Sequence, residues 1–176
     1  MEVLLDHGAD VNAANENGWT ALNYGSRHAS VVKVLLKHVP HVNVRDADGT
    51  SWLMAASLAG VEASVRILLE KGADTNLQDN DGNTALLYAS RNGYRDVVRL
   101  LIDKGADLNI QNRDGRTALM AATNQDYILI PLMLLVGGAN VHLQDIDGHA
   151  ALTKAEERGN DSLVQLFRSY HRRSQR

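Results

Sequence analysis

The pattern Asp-x-Asp-Gly occurs three times, at Asp46, Asp79 and Asp145, and paired carboxylates beside a glycine turn are how a calcium-binding loop begins. The rest of such a loop is missing. Around Gly82, the position for a further ligand before the first aspartate holds Leu77, and the position for a bidentate glutamate, six residues after the glycine, holds Tyr88. The aspartates therefore read as turn formers, with their carboxylates bonded to nearby backbone N–H groups. His38 and His41 flank Val39-Pro40, but two imidazoles with no third ligand close by make a poor metal site, and exposed turn histidines are the expectation. The chain has no cysteine, so it has no thiolate nucleophile and no disulfide. It also lacks a phosphate-binding glycine loop, a dinucleotide loop, a nucleophile elbow and a His-Glu-x-x-His pair. No catalytic residue, metal or cofactor is expected, and the sequence does not read as an enzyme.

Composition narrows the remaining classes. Of 176 residues, 44% are hydrophobic, 22% charged and only 5% aromatic, so a folded chain is expected whose apolar content, mainly Ala, Leu and Val, suits close helix packing. No apolar run is long enough to span a bilayer, and Met1 to Asp6 do not resemble a signal peptide. An intracellular, cytoplasmic chain with no membrane partner is the expectation. Net charge is −3, and because Arg168, Arg172, Arg173 and Arg176 fall in the last nine residues, the preceding body carries −7. An acidic body disfavours nucleic acid as a partner, since phosphates are held largely by Lys and Arg.

The elements that would carry any site repeat. Gly18, Gly49, Gly82, Gly115 and Gly148 are spaced by 31, 33, 33 and 33 residues. Shortly after each of the first four comes Thr20, Ser51, Thr84 or Thr117, hydroxyl residues suited to capping a helix N-terminus. A short Ala/Leu helix is predicted next, as in Ala85-Leu86-Leu87-Tyr88-Ala89, stopping near Asn92-Gly93. A second helix follows, with Val97, Val98, Leu100 and Leu101 on one face and Arg95, Asp96, Arg99 and Asp103 on the other. Gly105-Ala106-Asp107-Leu108-Asn109 then turns the chain towards the next unit, and Gly-Ala-Asp-x-Asn recurs at Gly8 to Asn12 and Gly72 to Asn76. Leu53, Leu86, Leu119 and Leu152 recur in register as the expected core leucines.

These residues resemble the ankyrin repeat, whose 33-residue unit is a turn plus two antiparallel helices. The resemblance implies an all-α solenoid of stacked helix-turn-helix repeats with short β-turn fingers. Over residues 1–170 it implies a partial repeat at 1–14, repeats at 15–45, 46–78, 79–111 and 112–144, and a polar capping repeat at 145–170, leaving 171–176 as a basic tail. The truncated first repeat suggests the end of a longer array. The resemblance also marks Asn12, Asn43, Asn76 and Asn109 as positions open to hydroxylation in animal cells, although a turn-forming role explains them in any organism.

Several residues depart from the usual Thr-Pro-Leu-His start. Ala or Trp52 replaces the proline, and Asn23, Met54, Leu87, Met120 or Thr153 replaces the histidine. Trp52 is expected to pack between units. The first full repeat is two residues short near Arg27-His28-Ala29-Ser30 and leaves through Val39-Pro40-His41 where others have a glycine; a β-branched residue is a poor left-handed stop, so a distorted, weak unit is expected. Pro131 should make its helix start late or kink.

The resemblance implies a protein partner, held by fingertips and first helices along a concave groove over residues 46 to 149, and a monomeric scaffold. The candidate contacts are Trp19, Arg27, Leu58, Asn80, Asp81, Asn83, Arg91, Asn92, Arg113, Arg116, Asn124, Gln125 and His149. Trp19 leads them, as tryptophan is enriched in binding hot spots. The other reading is a regulatory or targeting fragment of a larger protein.

Overall fold

The computed structural model describes residues 5–11, 13–16, 20–39, 41–123 and 128–174. Two rows of helices alternate along the chain. First helices are α1 (Ala21–Gly25), α3 (Trp52–Ala59), α5 (Ala85–Arg91), α7 (Ala118–Ala122) and α9 (Ala151–Glu157). Second helices are α2 (Ala29–His38), α4 (Glu62–Glu70), α6 (Arg95–Asp103), α8 (Leu129–Val136) and α10 (Asp161–Ser174). First helices pack on first helices and second on second, and each pair also packs internally, so every interior unit buries its apolar faces only between neighbours.

Local chemistry explains where the helices begin. Thr84, in extended backbone, accepts the Leu87 N–H through its hydroxyl at 3.2 Å; Thr117 does the same for Met120 at 3.3 Å. Ser51 accepts the Met54 N–H at 3.3 Å, and the Met54 sulfur accepts the Ser51 N–H in return, at 3.4 Å. Methionine thus restores part of the reciprocal bonding that the missing histidine would supply. Ala150 holds the same position before α9 and offers no side-chain cap.

The leucine register forms the core: Leu53, Leu86 and Leu119 are fully buried, together with Leu68, Leu101 and Leu134 from the second helices. Trp52 is buried in the same core. Leu152 is only partly buried, a correction to its expected core role; among the described residues α9 packs mainly against α7 and α10, whereas α5 and α7 lie between two first helices. Pro131 lies in the first turn of α8, where its missing N–H would have no helical partner. That helix starts at Leu129, one residue later than the 33-residue register from Glu62 and Arg95 requires. Val39 leaves α2 in extended backbone at φ −108° and ψ 137°, whereas Gly72 and Gly105 leave their units left-handed at φ 81° and 79°. The last helix continues to Ser174, so the boundary drawn at 170 falls inside it, and the His171 ring packs 4.6 Å from that of His142.

The fingers project beyond the first helices and bond to one another. Asp46, Asp79 and Asp145 each accept, through Oδ1, the N–H groups two and four residues later; they are turn formers. Backbone bonds then link consecutive fingers, from Asn80 to Asp48, Arg113 to Asp81 and Ile146 to Asp114, at 2.9 to 3.0 Å. Gly82 and Gly115 need their missing side chains twice over. Both have positive φ, and an added Cβ would meet the next finger's backbone at 2.9 Å and 2.8 Å.

A candidate protein-binding groove

A row of side chains at 33-residue intervals sets the pitch of the groove. Gln78 donates to the carbonyl of its own finger at Gly82 and to Gln111 in the next unit; Gln111 repeats this with Gly115 and Gln144. Arg45 does the same for Gly49 and Gln78. At the unit exits, the side-chain oxygens of Asn43, Asn76 and Asn109 accept the N–H groups of Asp74, Asp107 and Asn140, each 31 residues on, at 2.7 to 2.9 Å. These asparagines therefore join units instead of merely closing their own turns. Paired at both ends, the repeats present their fingers as a fixed row.

Below the fingers, Asp79 has its second carboxylate oxygen bonded to the Tyr88 hydroxyl and to Asn83. Burial first, and then the Asp79 carboxylate, push the Tyr88 phenol up to about 12. The Arg91 guanidinium stacks over that ring, 5.2 Å from its centre. Nine residues after Asp145, at the position equivalent to Tyr88, stands Lys154, whose ammonium lies 2.6 Å from the buried carboxylate. Burial opposes ionisation of Asp145, but Lys154 and the backbone N–H groups of His149 and Asp147 outweigh it and hold the carboxyl below its ordinary value.

Two clefts lie along the fingers and first helices. One, of about 620 Å³, runs from the third to the fifth unit and is lined by Asp81, Asn83, Leu87, Arg91, Asn112, Arg113, Asp114, Arg116, Met120, Ala121, Lys154, Glu157 and Arg158. The other, of about 700 Å³, lies against the first two full units and includes Tyr24, Arg27, His28, Asp46, Asp48 and Leu58. Tyr24 is 57% exposed and Leu58 43%, enough apolar surface for a partner to cover.

The structure sorts the residues named from sequence. Asp81, Arg91, Arg113 and Arg116 meet in the first cleft, and Arg27 and Leu58 in the second. Asn83 lines the first cleft but is a correction: it is 8% exposed, and its side chain bonds Asp79, Tyr88 and Asn112, which leaves it structural. Asn80 bonds the Ala47 carbonyl of the preceding finger, and Asn92 bonds the Tyr88 carbonyl at the end of α5; both mainly hold the scaffold. His149 lies 3.6 Å from the Glu157 carboxylate, outside the two clefts. Trp19, Asn124 and Gln125 fall outside the described residues. Sequence reasoning missed Tyr24, Lys154 and Arg158. Aligning the units on their finger aspartates would have flagged Lys154, since it replaces Tyr88 in register. Arg158 shows only once α9 packs against α7.

Stacked helix pairs joined by interbonded fingers define a helical repeat solenoid. The sequence profile of ankyrin repeats (3 copies) matches residues 28–112 and 53–145, and that of ankyrin repeats (many copies) matches residues 1–31; the chain belongs to the ankyrin repeat family. It is also similar to the ankyrin repeat-containing protein P1E11.10 of Schizosaccharomyces pombe, 43% identical over 49 residues that make up 26% of this chain and 23% of that protein. The chain thus matches less than a quarter of that relative's length. Ankyrin repeats are generally non-enzymatic modules that bind other proteins. Among the described residues no helix is long and apolar enough to cross a membrane, and no group of three or more metal-binding side chains occurs.

Proposed function

We propose that this chain is a non-catalytic scaffold that holds a partner protein across the concave groove of fingertips and first helices between residues 46 and 149. One observation carries the reading. The first aspartate of each finger (Asp46, Asp79, Asp145), Asn80, Asn83 and the bridging Gln78 and Gln111 are taken up by bonds within and between units, while Arg113 and Arg116 on the fingers, and Leu58 on α3, are left exposed. A rigid surface loses little entropy on binding, so exposed groups held at set positions favour recognition. On this division, residues 46–78, 79–111 and 112–144 are the interior repeats that carry the groove, and α9 with α10 closes the stack. The scaffold acts as a monomer inside the cell and turns over no substrate.

An affinity pull-down with wild-type chain, Trp19→Ala and Arg116→Glu, read by mass spectrometry, tests this. A partner held by the wild type should be lost from one or both variants while their helical circular dichroism stays unchanged. A partner retained in full by both would overturn the groove as the binding surface.

A further inference from the structure

Arginines are treated differently on the two sides of the solenoid. On the second helices, exposed Arg66 pairs with Glu62 at 2.6 Å, and Arg95 and Arg99 both pair with Asp96, at 3.2 Å and 3.0 Å. Arg168 pairs with Glu156 at 2.7 Å. In the cleft of the third to fifth units, the exposed side chains of Arg113, Arg116 and Arg158 have no hydrogen bond or ion pair among the described residues. Lys154 is held by Asp145, and Arg91 covers Tyr88. With Lys154 held by Asp145, the lining keeps four other basic side chains against three acidic ones, in a chain whose net charge is −3. Basic side chains are therefore in excess in this cleft of an acidic protein, and three of its arginines are left without a bonded partner among the described residues.

We propose that the segment seated in this cleft is an extended acidic peptide of another protein, with carboxylates opposite Arg113, Arg116 and Arg158. The proposal deepens the groove reading and rests on it. Guanidinium groups match carboxylates in paired, parallel hydrogen bonds, and a cleft lined by one excess sign draws in the opposite charge and repels like-charged chains. The three acidic groups, Asp81, Asp114 and Glu157, share the lining with the arginines. A nucleic acid, charged at every phosphate, would lie against them. A peptide can set its carboxylates at the arginines and neutral or basic side chains at the acids.

The test pans a displayed random-peptide library against the whole chain and against R113E/R116E, whose altered side chains are exposed and leave the core intact. Peptides retained by the wild type should be enriched in Asp and Glu, and a chosen peptide should bind R113E/R116E at least about tenfold more weakly. Exchanging its glutamates for lysines should restore binding to the variant and abolish binding to the wild type. R158Q should weaken the original peptide by a smaller factor. Peptides that are lost on R113E/R116E but carry no acidic enrichment overturn the acidic assignment and leave the groove standing. Peptides indifferent to R113E/R116E, and to Leu58→Asp in the other cleft, overturn the groove reading itself, and so does a panning that yields no binder. Single-stranded oligouridylate that outcompetes the chosen peptide at equal charge overturns the assignment to protein.

Discussion

The third full repeat and the first are built on the same plan with different helix lengths and exits. In the third, α5 has seven residues, a threonine cap and a glycine exit, and the Asp79, Asn83 and Tyr88 side chains tie finger to helix. In the first, α1 has five residues and Val39 leaves in extended backbone. The Gly25 position is so tight that an added Cβ would lie 2.8 Å from Val31, consistent with a connection two residues short. The difference teaches that a solenoid keeps its stacking pattern even where a helix is shortened and its unit lacks the left-handed glycine exit, because burial between neighbours carries the fold. Stability should therefore be graded along the chain.

The largest effect expected from disturbing this contrast is at the core of the strong unit. Leu86→Ala removes a fully buried side chain between two neighbours and should cost about 2 to 5 kcal/mol in urea unfolding; Leu152→Ala, at a half-covered position, should cost clearly less. Next, native-state hydrogen exchange should show residues 15 to 45 opening more readily than residues 79 to 111, by at least about tenfold or 1.4 kcal/mol. Equal protection of the two would mean that the shorter helix and the extended exit do not matter. Smaller again, Thr84→Ala should cost about 1 kcal/mol through the lost cap, and Ala150→Thr should return a similar amount to the last unit, both read from thermal unfolding.

The smallest effect is confined to alkaline pH. The Tyr88 phenol is raised to about 12 against about 10 in the unfolded chain. Its contribution is fully present below pH 10 and is lost as pH rises towards 12, because the unfolded chain ionises first. Tyr88→Phe should flatten that part of the stability curve relative to wild type. A slope unchanged by the substitution would remove Tyr88 from the bonds that tie finger to helix in the third repeat.

Much of this fold was legible because its signals are local. The left-handed glycines, the hydroxyl caps and the aspartate turns each act within four residues, and each is found where the sequence places it. The weak exit at Val39 was legible for the same reason. The groove was only partly so. Asn83 is a polar fingertip residue in sequence, yet it is drawn inward by Asp79, Tyr88 and the Asn112 of the next unit. Asn43, Asn76 and Asn109 look like turn residues but bond the following unit. Sequence distance hides such bonds, since their partners lie 29 to 31 residues away.

By itself the sequence determined the 33-residue unit, its helices and its fingers, because dihedral preference, capping and apolar spacing act over one or two turns of chain. Only the tertiary structure decided which polar side chains are left for a partner. Stacking brings equivalent residues of successive units into contact, satisfying Asn83 and Gln78 from neighbouring units. The same stacking gathers Arg113, Arg116 and Arg158 from two repeats into one cleft, where none has a bonded partner among the described residues. Charge balance at a surface is a property of the assembled array, and no single repeat contains it.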